Sequence, residues 1–107
     1  MQRLTLVRYK AKPGHVEENE TLSRAVFDEL RAKTPGDMAY ALFRDGSDFV
    51  HVFINAEADD SSPVTELLSF KTFMKGIDAR CEAPPEATRF GFRLLDSYGF
   101  GFSTAPA

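Results

Sequence analysis

The sequence has one cysteine, no tryptophan and no long apolar run. With Cys81 as its sole cysteine, the chain of 107 residues forms no internal disulfide, which is typical of the reducing cytoplasm. It shows neither an apolar stretch of about 18 residues nor an N-terminal apolar signal segment, so the sequence predicts neither membrane insertion nor secretion. Basic charge is also scarce: 13 Lys and Arg stand against 16 Asp and Glu, a net charge of −3. We therefore expect a cytoplasmic protein that binds neither nucleic acid nor a membrane.

Aromatic side chains are the abundant class. The chain has ten Phe and three Tyr, while its length and otherwise ordinary composition predict a single domain with one core. So much aromatic surface in one small domain indicates either an aromatic-lined cavity or a large subunit interface.

Hydrophobic periodicity predicts six segments of regular structure. These are a strand over 3–11, a helix over 15–33, hairpin strands over 38–44 and 49–56, a helical region over 62–68 and 70–79, and a strand over 88–97. Ser62 and Ser69 are the expected N-caps of the two parts of that helical region. The order β-α-β-β-α-β predicts a ferredoxin-like α+β fold, in which both helices cover one face of a four-stranded antiparallel sheet.

The predicted strands carry apolar side chains on both faces. In the first strand Leu4 and Leu6 share one face, while Val7 and Tyr9 share the other. Helices within the chain cover only one of these faces. We therefore expect a second copy of the chain to cover the open sheet face, which makes the protein a homodimer.

The end of the chain alternates aromatic residues with glycine, in the run Tyr98-Gly99-Phe100-Gly101-Phe102. Burying three such rings against a partner stabilises an assembly by about 1.5–3 kcal/mol per ring. We therefore divide the chain into a ferredoxin-like α+β-barrel domain, 1–97, and an aromatic C-terminal arm, 98–107, which contacts the partner subunit. A flexible tail and a tail packed on its own domain are the alternatives.

These patterns together resemble the dimeric α+β-barrel superfamily, and within it the antibiotic-biosynthesis-monooxygenase-like proteins. The resemblance covers about residues 2–98. It is carried by the strand Leu4-Thr5-Leu6-Val7-Arg8-Tyr9-Lys10, the Lys12-Pro13-Gly14 turn, the Asp45-Gly46 hairpin, the helix Ser69-Phe70-Lys71-Thr72-Phe73-Met74 and the strand from Phe90 to Leu95. It implies a homodimer with a ligand pocket between each sheet and its helices. Some members oxygenate quinols or aromatic polyketides without metal or flavin; haem-degrading members use a Trp, which this chain lacks.

His51 is the candidate proton acceptor, because histidine has an ordinary pKa near neutrality. It shares one strand face with Phe49, Phe53 and Asn55. We therefore assign His51 and Asn55 as catalytic residues in an aromatic pocket. A buried histidine with a purely structural role is the alternative.

Further polar side chains are candidates for binding the substrate. Asn19 and Ser23 fall within the apolar stripe of the first helix, where they either bond locally or face a polar pocket. Tyr9 and Tyr40 can donate hydrogen bonds to a developing oxyanion. The predicted substrate-binding residues are Asn19, Ser23, Tyr9, Tyr40, Phe49 and Phe53.

The sequence has no motif for a bound metal or cofactor. It shows no zinc-ligand spacing, phosphate-binding loop, dinucleotide fingerprint or Ser-His-Asp arrangement. We therefore expect neither metal nor cofactor. Two functions remain open: a cofactor-independent monooxygenase acting on a small aromatic or quinol-type substrate, and a non-enzymatic ligand-binding or stress-related α+β-barrel module.

Overall fold

Four strands and three helices follow one another in the computed structural model, which describes residues 2–56 and 63–100. They are β1 (Arg3–Lys10), α1 (Val16–Lys33), β2 (Met38–Asp45), β3 (Asp48–Asn55), α2 (Leu68–Met74), α3 (Ile77–Arg80) and β4 (Glu86–Phe90). The strands form one antiparallel sheet in the order β2-β3-β1-β4. The predicted ferredoxin-like α+β fold is therefore confirmed. None of the described helices is long and apolar enough to cross a bilayer.

The two faces of the sheet differ in cover. Tyr9 and Phe49 are buried in the core on the face that the helices cover. On the opposite face Leu6 is 36% exposed and Phe43 is 59% exposed. The described part of the chain thus leaves an apolar sheet face open to solvent, as the alternation in β1 predicts.

The helix α1 begins and ends at recognisable signals. Gly14 has a φ of 84°, a left-handed conformation that favours glycine, and it directly precedes the N-cap His15. At the other end Thr34 is left-handed and donates its N–H to the carbonyl of Leu30 at 2.7 Å. Arg44 of β2 ties the helix to the sheet by ion pairs with Glu17 and Glu20, at 3.1 and 3.0 Å.

The second helical region differs from the prediction. Residues 63–66 form turns and Ser62 lies outside the described residues. The predicted helix over 70–79 is interrupted after Met74, because Lys75 is extended and Gly76 has a φ of 87°. Periodicity alone missed this break, since the apolar spacing continues across it to Ile77.

The cap predicted at Ser69 is wrong, because Ser69 lies inside α2. Its N–H and its hydroxyl both donate to Oε1 of Glu29 on α1, at 2.9 and 2.6 Å. The Ser69 hydroxyl, the Ser69 N–H and then Lys33 hold the pKa of Glu29 at about 2. A carboxylate from another helix therefore supplies the capping that α2 lacks in its own N-cap residue.

The last strand is shorter and earlier than the predicted 88–97. It pairs with β1 from Arg8 opposite Glu86 to Leu4 opposite Phe90. Pairing ends one residue short of the start of β1 at Arg3, so little of β1 is left to pair with residues 91–97. Beyond Phe90, the Leu94 N–H bonds to the Gln2 side chain at 2.7 Å. Residues 101–107 of the predicted arm lie outside the described residues.

Candidate functional site

A cavity of about 640 Å³ lies between the helix-covered sheet face and the α2–α3 region. Its volume suits a small organic ligand. Aromatic side chains come from both the sheet and α2, and the lining also includes the charged residues Arg3, Asp78 and Arg89. The lining residues that form the candidate site are Tyr9, Tyr40, His51, Phe53, Asn55, Phe70 and Phe73.

His51 lies between two tyrosine hydroxyls. The Tyr9 hydroxyl is 2.7 Å from Nε2 of His51, and the Tyr40 hydroxyl is 2.5 Å from Nδ1. Burial lowers the pKa of His51 to about 4. The imidazole is therefore neutral near pH 7, with one nitrogen donating and the other accepting.

The hydrogen bonds continue from Tyr9 into the protein interior. Asn19 donates from Nδ2 to the Tyr9 hydroxyl at 2.8 Å, and Arg80 donates from Nε to Oδ1 of Asn19 at 3.1 Å. Arg80 is only 4% exposed and also donates to the carbonyl of Phe73 at 2.6 Å. We call the continuous chain Arg80–Asn19–Tyr9–His51–Tyr40 the polar relay. Its Tyr40 end lies on the cavity wall and its Arg80 end is buried.

Aromatic packing holds the two tyrosines of the polar relay in place. The ring of Tyr9 stacks on Phe49 with centroids 5.5 Å apart. The ring of Tyr40 packs edge-on against Phe27 and Phe53, at 4.7 and 5.2 Å. Burial raises the pKa of both tyrosines, so both hydroxyls remain protonated near pH 7. His51 and the two tyrosines are therefore uncharged hydrogen-bonding groups near pH 7.

The two predicted catalytic residues lie at different points of the cavity. Asn55 is buried and lines the cavity, but it is four residues from His51 on β3. At about 3.4 Å per residue this separates them by roughly 14 Å. In the sheet Asn55 lies directly opposite Arg3 and Met38. The structure therefore groups His51 with the tyrosines rather than with Asn55.

Three of the predicted substrate-binding residues lie behind the cavity wall. Asn19, Ser23 and Phe49 are buried and do not belong to the lining. The Ser23 hydroxyl donates to the Asn19 carbonyl at 2.7 Å, which is the local bonding considered for it above. Asn19 supports Tyr9, and Phe49 stacks on Tyr9. The other three, Tyr9, Tyr40 and Phe53, line the cavity.

Arg80 is the site residue that sequence reasoning missed. A signal for it was present: Phe73, Ile77 and Arg80 follow the spacing i, i+4, i+7, which places a cation on the apolar stripe of the second helical region. A cation on such a stripe needs hydrogen-bond partners when it is buried. Those partners are Asn19 and the Phe73 carbonyl.

Known proteins resemble this chain in structure but not in sequence. No protein-family model and no curated protein matches it. Among solved structures, a proposed antibiotic biosynthesis monooxygenase from Nitrosomonas europaea superposes with a TM-score of 0.70 at 16% identity, over 85% of this chain and 89% of that one. A protein from Pseudomonas aeruginosa gives 0.68 at 22% identity, over 88% and 95%. A cofactor-independent oxygenase from Streptomyces nogalater, in a mutant form, gives 0.63 at 16% identity, also over 88% and 95%.

These superpositions cover nearly all of the chain at identities that establish the fold alone. The resemblance predicted from the sequence is thereby confirmed at the level of architecture: this chain has the fold of the antibiotic-biosynthesis-monooxygenase-like proteins.

Proposed function

We propose that this protein is a cofactor-independent monooxygenase that acts on a small aromatic or quinol-type substrate and works as a homodimer. The observation that carries the proposal is the placement of Tyr40 and His51, hydrogen-bonded at 2.5 Å, on the wall of an aromatic cavity. The oxygenase from Streptomyces nogalater, which shares the fold, supports the same reaction class.

The cavity suits a flat ring that carries an oxygen atom. Phe53 on the sheet and Phe70 and Phe73 on α2 provide aromatic surface on two sides of the cavity. Offset stacking or edge contacts with these rings favour a planar aromatic ligand. The Tyr40 hydroxyl can then hydrogen-bond an oxygen at the ring's edge.

The reaction requires a substrate that becomes an electron-rich anion. A quinol or phenol releases its proton to the solvent as it binds, and the anion then reduces dioxygen directly. One oxygen atom enters the substrate and the other leaves as water, with all electrons drawn from the substrate. The protein's part is to bind the ring, exclude water and stabilise the substrate anion by hydrogen bonding from the polar relay.

The structure refines the role predicted for His51. With its pKa held near 4, His51 is a poor store for a proton at neutral pH. In the proposed mechanism His51 orients the Tyr40 hydroxyl and connects it by hydrogen bonds to the buried part of the polar relay. The pocket stabilises the anion that the substrate forms when it loses its proton. Asn55 lines the far part of the cavity and contacts the remainder of the ligand.

The uncovered sheet face supports the proposed homodimer. Leu6 and Phe43 expose apolar surface there, on strands whose other face is packed against helices. An apolar face of this kind marks an interaction site in a soluble protein. Since the same face is present on every copy, a two-fold arrangement covers both faces at once.

Oxygen consumption with a panel of quinols and hydroxylated polyketides tests the activity. We expect Tyr40→Phe and His51→Ala to slow turnover at least about tenfold. The matched controls Tyr98→Phe and His15→Ala change an exposed and a partly exposed residue outside the cavity and should retain the rate. If no compound consumes oxygen but aromatic compounds bind in a Tyr40-dependent way, the protein is a ligand-binding module. If the His51 and Tyr40 variants turn over normally, the proposed site is wrong.

A further inference from the structure

The orientation of the Asn19 side chain is determined by Arg80. A guanidinium has donors and no acceptor, so the Asn19 atom that faces Nε of Arg80 must be the carbonyl oxygen. The amide nitrogen then faces the Tyr9 hydroxyl, 2.8 Å away. Asn19 therefore donates to Tyr9 and does not accept from it.

This donation determines how Tyr9 bonds to His51. The Tyr9 oxygen already accepts from Asn19, which leaves its own proton to be donated. Nε2 of His51, 2.7 Å away, is the acceptor for that proton, because an imidazole nitrogen accepts more strongly than the Ser23 hydroxyl that also lies near Tyr9. When Nε2 accepts, the neutral imidazole carries its proton on Nδ1 and donates it to the Tyr40 oxygen.

We infer that Arg80 is a positioning residue that gives the polar relay one direction, Arg80 to Asn19 to Tyr9 to His51 to Tyr40, so that Tyr40 presents a proton donor to the cavity. The ligand oxygen at Tyr40 is accordingly an acceptor. The chemical class that fits is a phenolate or a quinone carbonyl, in preference to a neutral phenol that needs an acceptor.

The buried charge of Arg80 favours the same ligand class. Arg80 bonds to Asn19 and to backbone carbonyls, and no described carboxylate lies within ion-pair distance of its guanidinium. The guanidinium carbon lies 5.1 Å from the centroid of the Phe73 ring, and this contact does not neutralise the positive charge. In an interior of low dielectric, this charge favours negative charge at the far end of the polar relay.

The direction of the polar relay is measurable without any ligand. Heteronuclear NMR of the imidazole nitrogens identifies which nitrogen of His51 bears the proton. We expect the Nδ1–H tautomer in the unmodified protein at pH 7. The Nε2–H tautomer in that protein would overturn the inference. This measurement is made on the unmodified protein, so it requires neither catalytic activity nor the folding of a variant.

Asn19→Asp tests the role of the amide, because a carboxylate accepts hydrogen bonds and donates none. Asp at this position can still bond Arg80, but Tyr9 must then donate to it, and His51 must switch to the Nε2–H tautomer. The matched control Asn55→Asp adds a carboxylate to the cavity wall outside the polar relay and should leave the tautomer unchanged. An unchanged tautomer in Asn19→Asp would contradict the assignment.

Two substitutions test the role of Arg80, and the same NMR measurement of the His51 tautomer reports the result of each. Arg80→Lys keeps a cationic donor toward Asn19 and should preserve the Nδ1–H tautomer. Arg80→Met removes the donor, so the Asn19 amide can rotate and both tautomers are expected. A single unchanged tautomer in Arg80→Met would show that Arg80 does not orient the polar relay.

The ligand class is tested with para-nitrophenol, whose anion absorbs visible light. This part rests on the proposed function, since it requires an aromatic ligand in the cavity. We expect the ionisation constant of bound para-nitrophenol to rise at least about tenfold over its value in free solution, and to fall in Asn19→Asp. Binding of the neutral phenol by the unmodified protein would overturn the ligand class. Failure of para-nitrophenol and quinones alike to bind would count against the proposed function, while the tautomer still decides the relay's direction.

Discussion

Tyr40 and His51 meet diagonally across β2 and β3. In the register Tyr40 lies opposite Phe53, and His51 lies opposite Leu42, yet the Tyr40 hydroxyl reaches Nδ1 of His51 at 2.5 Å. The contact is possible because a tyrosine ring spans the distance between diagonal neighbours on one sheet face. Two residues eleven positions apart in the chain are thereby joined at the cavity wall.

Tyr40→Phe and Tyr9→Phe should have different effects, although each removes one hydroxyl from His51. Tyr9→Phe leaves Nδ2 of Asn19 and Nε2 of His51 without a partner in the buried interior, and we expect a loss of about 1–3 kcal/mol in the free energy of unfolding. Tyr40 borders the cavity, so Tyr40→Phe should weaken ligand binding more than it destabilises the fold. Urea unfolding of both variants, with Tyr98→Phe as the exposed control, makes the comparison. Equal losses of stability in the two variants would contradict it.

The burial of His51 predicts a fold that weakens in mild acid. The folded protein binds a proton at His51 only near pH 4, whereas the unfolded chain binds it below about pH 6.5. Between these values the unfolded state holds the extra proton, so the free energy of unfolding falls as the pH falls. From pH 7 to about pH 5, the expected loss is about 2 kcal/mol.

Urea unfolding at the two pH values checks this prediction. The His51→Gln variant should lose most of the pH dependence, while His15→Gln, at a partly exposed position, should retain it. Measurement stops at about pH 5 so that the carboxylates, Glu29 among them, stay ionised in both states. A pH dependence that survives in His51→Gln would assign it to another group.

Much of this fold could be predicted from the sequence because its signals are local. The Asp45-Gly46 hairpin, the amphipathic helix α1 and the alternation in β1 each arise from neighbouring residues, and each is present in the structure. Alternation placed Tyr9 on one face of its strand and His51 on one face of its own strand, but only the register between β1 and β3 brings the two faces to the same side of the sheet.

The parts that could not be predicted depend on contacts between distant segments. Glu29 caps α2 through Ser69, forty positions away, and Arg80 bonds to Asn19 across sixty-one positions. Neither contact leaves a local pattern. The end of β4 at Phe90 is set by where its partner β1 begins, which the composition of residues 91–97 does not reveal. The pKa of His51 depends on burial, which is itself a property of the finished fold.

The cap that Glu29 provides should be detectable in thermal unfolding. Glu29→Gln replaces a carboxylate that accepts from both the N–H and the hydroxyl of Ser69 with a weaker, uncharged acceptor. We expect the melting temperature at pH 7 to fall by a few degrees. The exposed Glu66→Gln serves as a control and should melt like the unmodified protein. An unchanged melting temperature in Glu29→Gln would show that α2 does not depend on this contact.

A negative charge introduced on the open sheet face should dissociate the proposed dimer. Phe43 is 59% exposed on that face, and Leu68 is 72% exposed on the helical side. Phe43→Glu buries a carboxylate in the proposed interface, so we expect monomers at micromolar concentration by sedimentation. Leu68→Glu adds the same charge elsewhere and should leave the dimer intact. If Phe43→Glu remains dimeric, or if Leu68→Glu dissociates, the open sheet face is not the interface.

The C-terminal arm should add to the same association. Tyr98 is 97% exposed on its own subunit, so its ring has little contact with the domain that precedes it. If the arm crosses to the partner, truncation after Ser97 removes aromatic contacts from the interface, and the dissociation constant should rise at least about tenfold. Sedimentation equilibrium measures that change. A truncated chain that remains dimeric at nanomolar concentration would show that the arm contributes nothing to assembly. Loss of helical circular dichroism in the same chain would instead mean that the arm packs on its own domain.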